Sequence, residues 1–463
     1  MSSPIYLTED IRRIERAAGE LTPSLMERAG AAAAELAARL ASDKGKDILV
    51  LAGPGNNGGD AKIAAERLRE QFYRVTLASR MEDIPEARWA LVIDGLFGIG
   101  LARAIEGEYA RLVDYANRQT CPVLALDIPS GLHSDTGRVI GHAVRATHTI
   151  TFIALKPGLL TLDGPDHCGE ITVADLGLRP EKASAWVASP EPFKEALKRR
   201  PRNFHKGLAG SVAVLGGASG MTGAALLAGR AALKLGAGRV YIGMLEPTLP
   251  VDPGAPELML RHADDALGMD LNALVVGPGL GEGERAETLL GAALTAEAAC
   301  VLDADALNLI AANPRLLAAC ARRRAETLIT PHPAEAARLL GSKTADVQGD
   351  RLKAARALAE KLNAHAVLKG NGSIIVARDG HCFINRTGNP GMASAGMGDV
   401  LAGILGALLA QGYSGESALV LGTHLHGAAA DELVRSGVGP VGMTAGELIA
   451  PARRLWNQWL AGR

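Results

Sequence analysis

Short, unbroken apolar runs alternate with longer amphipathic stretches along most of the chain. Residues 47–52, 73–78, 90–94 and 123–127 are brief and rich in Val, Ile and Leu. Runs this continuous predict strands covered on both faces, as in a central parallel sheet. Between them, residues 61–71 and 107–118 read as helices, and the Ala-rich stretch 31–41 reads as a packed helix. Strand–helix alternation of this kind predicts a doubly wound α/β sheet, with ligand sites at the carboxyl ends of its strands.

The alternation pauses between Leu178 and Lys206, where prolines and clustered charge predict a linker. The boundary falls near residue 190, giving domains of 1–190 and 191–463. A second alternation follows: strands at 211–217, 240–244, 273–277, 300–303, 327–330, 366–369 and 373–377, with a helix over 223–235. Within 373–385 a D-G turn joins two β-like runs, the pattern of a hairpin. No fixed-period repeat is present, which argues against a solenoid or propeller.

Composition narrows the partners. A chain of 463 residues exceeds one typical core, in keeping with two domains. Its 49 basic and 50 acidic residues cancel, so no long-range field draws nucleic acid or an anionic membrane. Phosphate-bearing ligands must be held locally, by loops and helix ends. Cys121, Cys168, Cys300, Cys320 and Cys382 are scattered and never spaced as CxxC, which predicts buried reduced thiols. The first twenty residues lack an apolar signal core, and the longest apolar run, 400–410, is too short to span a bilayer. The expectation is a soluble, cytoplasmic protein of small-molecule substrates; a homo-oligomer is compatible with it.

Three strand ends carry candidate chemistry in the first half. The first closes in Gly53-Pro54-Gly55-Asn56-Asn57-Gly58-Gly59-Asp60 before a helix. Glycines permit close approach of a ligand, and a helix start offers free N–H groups to a pyrophosphate. Alone, such a turn is equally an ordinary structural one, and it is not GxGxxG. The second closes in Asp94-Gly95-Leu96-Phe97-Gly98-Ile99-Gly100, the third in Asp127-Ile128-Pro129-Ser130-Gly131. Converging, they would bring together a carboxylate for proton transfer and oxygen donors for a monovalent cation. Asp94 and Asp127 also read, one at a time, as turn caps.

Taken in order, GPGNNGGD, DGLFGIGL and VLALDIPSGLHSDTG closely resemble the NAD(P)HX epimerase family over about residues 5–180. The resemblance implies that Asn56, Asn57, Gly58, Gly59 and Asp60, with Gly98, Ile99, Gly100, Leu101, Ala102, Arg103 and Ala104, hold the dinucleotide. It implies a potassium ion on Asn57, Asp94 and Ser130, and an acid–base role for Asp127, which also contacts substrate. The sequence departs from the family at Ala61, where glycine often follows NNGGD. The substrate carries a hydroxyl at C6 of the reduced nicotinamide. Its loss with help from the ring nitrogen, or reversible ring opening, lets either hand be rebuilt, and one carboxylate suffices.

The densest motif of the second half is Asn389-Pro390-Gly391-Met392-Ala393-Ser394-Ala395-Gly396-Met397-Gly398-Asp399, before an apolar helix expected to begin near Asp399. The turn can aim main-chain N–H groups at a phosphate, and Asp399 can deprotonate a hydroxyl poised for phosphoryl transfer. Asp399 also reads as a plain helix N-cap. Upstream, Lys369-Gly370-Asn371-Gly372-Ser373 suits nucleotide phosphates, and Thr330-Pro331-His332-Pro333-Ala334-Glu335 places a histidine at a strand end. As a lone residue, that histidine reads as structural.

With NFHKGLAGSVAVLGGASGMTGAA, VVGPGLG, VLDADAL, LITPHPAE, LKGNGS and NPGMASAGMGDVLAG, residues 200–460 look like the ADP- or ATP-dependent NAD(P)HX dehydratase, a ribokinase-like fold. The resemblance implies substrate contacts at Ala224, Gly279, His332 and Asp399. It implies nucleotide contacts at Lys369, Gly370, Asn371, Gly372, Ser373 and Gly398, with Mg2+ bridging the phosphates of ADP or ATP. The expected architecture is therefore a Rossmann-like doubly wound sheet followed by a ribokinase-like α/β domain. The expected function is repair of hydrated NADH and NADPH: epimerisation of R and S NAD(P)HX, then nucleotide-dependent dehydration of the S form through a phosphorylated hydroxyl. The rivals are a ribokinase-like small-molecule kinase with an N-terminal nucleotide-binding module, a non-catalytic N-terminal scaffold, and a Rossmann oxidoreductase, whose glycine fingerprint is missing.

Overall fold

The computed structural model describes residues 3–41, 47–178, 182–197, 199–247 and 249–462. Of the stretch read as a linker, 179–181 and 198 lie outside the described residues. The chain divides into two compact units, Ser3–Trp186 and Val187–Arg463.

In the first unit six strands form one parallel sheet, ordered Val75–Ala78, Asp47–Ala52, Trp89–Gly95, Val123–Leu126, His148–Phe152 and Glu170–Ala174. The chain enters at Asp47–Ala52, steps to one edge, then returns across to Trp89–Gly95. The order reverses between those two strands, and a crevice opens beyond their carboxyl ends at such a switch point. One face is covered by the Ala-rich helices Leu25–Leu40 and Asn56–Glu70, the other by Gly107–Asn117. Small side chains at Ala33, Ala37, Ala61, Ala64 and Ala65 are fully or almost fully buried between helix and sheet. Helix Leu25–Leu40 starts with a reciprocal cap, in which Ser24 Oγ accepts from Glu27 N at 3.2 Å and Glu27 accepts from Ser24 N at 2.7 Å.

Helix Asn56–Glu70 begins five residues before the expected start at 61. Periodicity missed that turn because its inward residues are polar: Asn57 and Asp60 are buried there together with Gly58 and Ala61. The Gly-Asn motif is thus itself the opening turn of the helix.

Within the second unit the strand order is Cys382–Ile384, Ile374–Val376, His365–Leu368, Thr327–Ile329, Ala299–Leu302, Ala273–Val276, Ser211–Leu215, Arg239–Met244 and Met259–His262. All neighbours are parallel except the first three strands, which form an antiparallel meander ending in the expected hairpin. The order reverses beside Ser211–Leu215, between Arg239–Met244 and Ala273–Val276. Helix Met397–Ala410 is apolar on nearly every side and buries every residue from Val400 to Ala410. It packs against Thr222–Lys234 and Gly415–Arg435, which explains the long apolar run as a core helix. Among the described residues, no helix is long and apolar enough to cross a membrane.

Candidate active sites

Beyond the switch point of the first unit lies a cleft of about 710 Å³, walled by the helix Thr8–Ala18, the start of Asn56–Glu70 and the loop after Trp89–Gly95. Asn56, Asn57, Asp60, Gly98, Ile99, Gly100, Leu101, Ala102, Arg103 and Asp127 all line it. Gly58 and Gly59 do not: the first packs on the Gly53 carbonyl, the second on the Met26 thioether. Ala104 lies beyond the cleft and is exposed.

Asp127 follows the strand Val123–Leu126 with a left-handed φ of 64°, an uncommon backbone state that aspartate tolerates better than most residues. It is 9% exposed and forms an ion pair with Lys156, which is fully buried. The Lys156 ammonium also donates to Thr151 Oγ1 and the Phe152 carbonyl, both at 2.8 Å, so its three donors are all used. Asp60 is as buried as Asp127. Burial first, then the carboxylates of Asp127 and Glu15, push its carboxyl up to about 8. Glu15 is raised too, chiefly by burial and then by Asp127.

Asp94 lies beneath the cleft, fully buried, and accepts from Ser130 N at 2.8 Å and Ser130 Oγ at 2.6 Å. It also accepts from Leu96 N at 3.2 Å, so it does cap its own turn. Burial pushes it up to about 6 in spite of those hydrogen bonds. Asn57 is different in kind: neither its Oδ1 nor its Nδ2 has a partner, though both are buried. A Cβ placed on Gly98 would sit 3.4 Å from Asn57 Cγ and 3.4 Å from Asp127 Oδ2, so the loop at Gly98 lies directly against both side chains. A buried amide left unsatisfied is costly, and here the unsatisfied amide is on a residue that lines the cleft.

In the second unit the helix Met397–Ala410 starts two residues before Asp399, with Gly396 as N-cap in the left-handed region at φ 87°. Asp399 is therefore not the cap, and no side-chain cap bond is made. Its carboxyl is pushed up to about 6, chiefly by burial, then by Asp303 and Asp305, with Lys369 acting in the opposite sense. Asp303, 1% exposed, accepts from Lys369 Nζ at 2.9 Å and from Thr330 Oγ1 at 2.7 Å. A Cβ on Gly398 would lie 3.2 Å from Lys369 Nζ and 3.3 Å from Asp303 Oδ2, so this ion pair abuts the glycine turn. Burial alone would lower the Lys369 ammonium; the carboxylates of Asp303, Glu335 and Asp399 reverse that and raise it.

Lys369, Gly370, Asn371, Gly372 and Ser373 form the tight connection between His365–Leu368 and Ile374–Val376, with Ser373 Oγ donating to the Gly370 carbonyl at 3.0 Å. Under it lies Arg351, almost wholly buried, donating to the carbonyls of Leu368 and Lys369, each at 3.3 Å. Across the switch point, Gly217 N and Ala218 N donate to the Pro278 and Gly279 carbonyls. A Cβ on Gly279 would meet Ala224 at 3.3 Å, so these two predicted contacts are neighbours. His332 caps the helix Pro333–Leu340: its Nδ1 accepts from Ala334 N at 3.1 Å, and its Nε2 lies 3.1 Å from Glu335 Oε1. The ring is half exposed and so has a structural task alongside any substrate contact.

Two groups in these sites escaped sequence reasoning. Lys156 is the lone charge between Thr149 and Leu162, and that isolation was a usable signal. Asp303 sits inside VLDADAL, where nothing local distinguishes it from Asp305. Its partners, Thr330 and Lys369, arrive from two other strand ends.

Comparison with known proteins places both halves. The family described as NAD(P)H-hydrate dehydratase matches residues 212–452, and the YjeF-related protein N-terminus matches 22–91 and 78–158. The bifunctional NAD(P)H-hydrate repair enzyme Nnr of Escherichia coli K12 is 38% identical over 497 residues, covering 98% of this chain and 94% of that protein. A crystal structure of the ADP/ATP-dependent NAD(P)H-hydrate dehydratase from Bacillus subtilis, co-crystallized with ATP/Mg2+, is 29% identical. It has a TM-score of 0.52 and covers 59% of this chain and 98% of its own. A ribokinase-like superfamily protein from Enterococcus faecalis matches in fold, with a TM-score of 0.53 at 23% identity and coverage of 61% and 99%.

Proposed function

Because the chain belongs to the bifunctional NAD(P)H-hydrate repair enzymes, an epimerase half followed by a nucleotide-dependent dehydratase half, we propose that its two switch-point sites divide the work as follows. The unit Ser3–Trp186 epimerises R and S NAD(P)HX in the cleft over Asp127, and the unit from Val187 onward dehydrates the S form at Asp399. The observation that carries the second assignment is Asp399 itself, free of any capping bond and set against Lys369 and the Gly396–Gly398 turn.

In the dehydratase site Asp399 takes the proton of the C6 hydroxyl, whose oxygen then attacks the terminal phosphoryl group of the nucleotide. Lys369 and the main-chain N–H groups of the turn hold the phosphates, and Arg351 props the Lys369–Ser373 connection from below. Gly279, Ala224 and His332 bound the dinucleotide. Magnesium carried on the phosphates would neutralise their charge and needs few protein ligands for that. The ring nitrogen expels phosphate, and loss of a proton from C5 restores the dihydropyridine.

In the epimerase site the dinucleotide lies along Asn56–Asp60 and the loop from Gly98 to Arg103, and Asp127 transfers the proton. A potassium ion fits the donors present: the unpartnered Asn57 amide, the buried Asp94 carboxylate and the Ser130 hydroxyl are all oxygen ligands able to replace its water. Bound there, it would supply fixed positive charge under the substrate. Replacing potassium with a bulky organic cation is expected to slow epimerisation substantially. Equal rates in the two salts would remove the ion from the site.

The whole assignment is tested by giving the purified chain mixed NADHX epimers, potassium, magnesium and either ADP or ATP. Reduced-nicotinamide absorbance and inorganic phosphate should rise together, and both epimers should be consumed. A stable phosphorylated product without restored absorbance would mean a small-molecule kinase instead.

A further inference from the structure

The epimerase cleft holds two buried carboxyl groups in opposite electrostatic settings. Asp127 is the counter-ion of Lys156, an ammonium with no exposure to water, so its negative charge is part of a closed pair. Asp60 lines the same cleft from helix Asn56–Glu70 with 9% exposure. No hydrogen bond or ion pair of its side chain is found among the described residues. The charged groups around it are Glu15 and Arg12 from helix Thr8–Ala18, Arg103 from the Gly98 loop, Asp127 from its strand end and Lys156 behind that. Arg12 and Lys156 act on Glu15, and the two carboxylates act on Asp60. A buried acid with no ion-pair partner of its own, beside two other carboxylates, keeps its proton.

Two like groups in one cleft, one closed into an ion pair and the other without an ion-pair partner, are a usual basis for one acting as base and the other as acid. We propose that Asp60 is a second catalytic residue of the epimerase, the general acid that protonates the departing C6 hydroxyl, with Asp127 as the base. The inference rests on the epimerase reading above and replaces its single carboxylate by two. The C6–O bond breaks with its electron pair going to oxygen, which takes the Asp60 proton and leaves as water. The lone pair of the ring nitrogen closes a C=N bond to C6. Water then adds to the other face of C6, forming a new C–O bond and giving its surplus proton to Asp127. The cycle closes when that proton returns from Asp127 to Asp60 through water in the cleft.

The test is made on the full chain with R-NADHX, magnesium and nucleotide, following restored absorbance across pH 6 to roughly 9.5, a range that brackets the raised Asp60 carboxyl. Wild type should lose epimerase kcat as pH rises past about 8, where the acid form of Asp60 is titrated away. Asp60→Asn should lower kcat on the order of a hundredfold or more, leave KM within a few-fold, and show no such alkaline limb. Asp60→Glu should recover part of the rate and regain a limb. Thermal melting supplies a readout independent of turnover. A carboxyl raised in the folded state gives up stability as pH rises from 3.8 towards about 8, so Asp60→Asn should gain melting temperature relative to wild type across that window.

Unchanged kcat in Asp60→Asn, or a raised KM with kcat intact, would overturn the proposal and leave Asp60 as a binding contact. If Asp60→Asn does not fold, a wild-type kcat that stays flat as pH rises through about 8 overturns it equally. A wild-type enzyme unable to use R-NADHX would instead overturn the epimerase reading, before any variant is compared.

Discussion

Asp399→Asn is expected to reduce dehydration of S-NAD(P)HX by roughly a hundredfold to ten-thousandfold, the usual range for losing a general base. Nucleotide affinity should change far less, because the phosphates are held by Lys369 and by main-chain N–H groups of the Gly396–Gly398 turn, none of which is altered. The pH dependence is specific. The Asp399 carboxyl is held up to about 6, so its base form is lost as pH falls through that value. Wild-type dehydration should therefore rise as pH rises through about 6, and this acid limb should vanish in the variant. Stability moves the other way: a carboxyl raised from 3.8 to about 6 by folding costs stability as pH climbs between those values, so Asp399→Asn should melt slightly higher at neutral pH. Single-turnover absorbance beside calorimetric nucleotide binding checks both halves. Near-normal turnover would sink the assigned role, and loss of nucleotide binding together with turnover would make Asp399 a phosphate-site residue rather than the base.

The second large effect concerns Asp127 and Lys156. Asp127→Asn should slow use of R-NAD(P)HX by a factor of about a hundred to ten thousand, while the S form is still dehydrated at the other site. Lys156→Met should do more damage to folding, since removing one partner of a buried pair leaves the other charge uncompensated, typically at a cost of about 3–5 kcal/mol. Asp127 faces the cleft and keeps some contact with water, which places the expectation at the lower end. The double variant Asp127→Asn/Lys156→Met removes both charges and should recover much of the melting temperature without recovering epimerisation. Equal melting temperatures for Lys156→Met and its parent would show that the pair contributes little to stability. An Asp127→Asn enzyme that drains both epimers as fast as its parent would end the acid–base assignment.

Much of this protein was legible along the chain. Continuous apolar runs such as 47–52 and 211–217 read as strands buried on both faces, and their alternation with helices implies parallel sheets. The motifs around Asn57, Asp94, Asp127, Lys369 and Asp399 lie at strand ends because α/β sheets gather ligands there. What local pattern misjudged was polar residues turned inward. Helix Asn56–Glu70 starts before its apolar face does, with Asn57 and Asp60 buried in its first turns.

By itself, then, the sequence determined the two α/β halves, through periodicity, and the repair chemistry, through contiguous motifs that resemble known families. Only the tertiary structure decided which charge answers which. Lys156 meets Asp127 across 29 residues, Lys369 meets Asp303 across 66, and Asp60 has no ion-pair partner among the described residues while Asp127 and Glu15 act on it. The proton affinity of a carboxyl depends on burial and on charges a few ångströms away in space, and neither quantity is written into its neighbours along the chain.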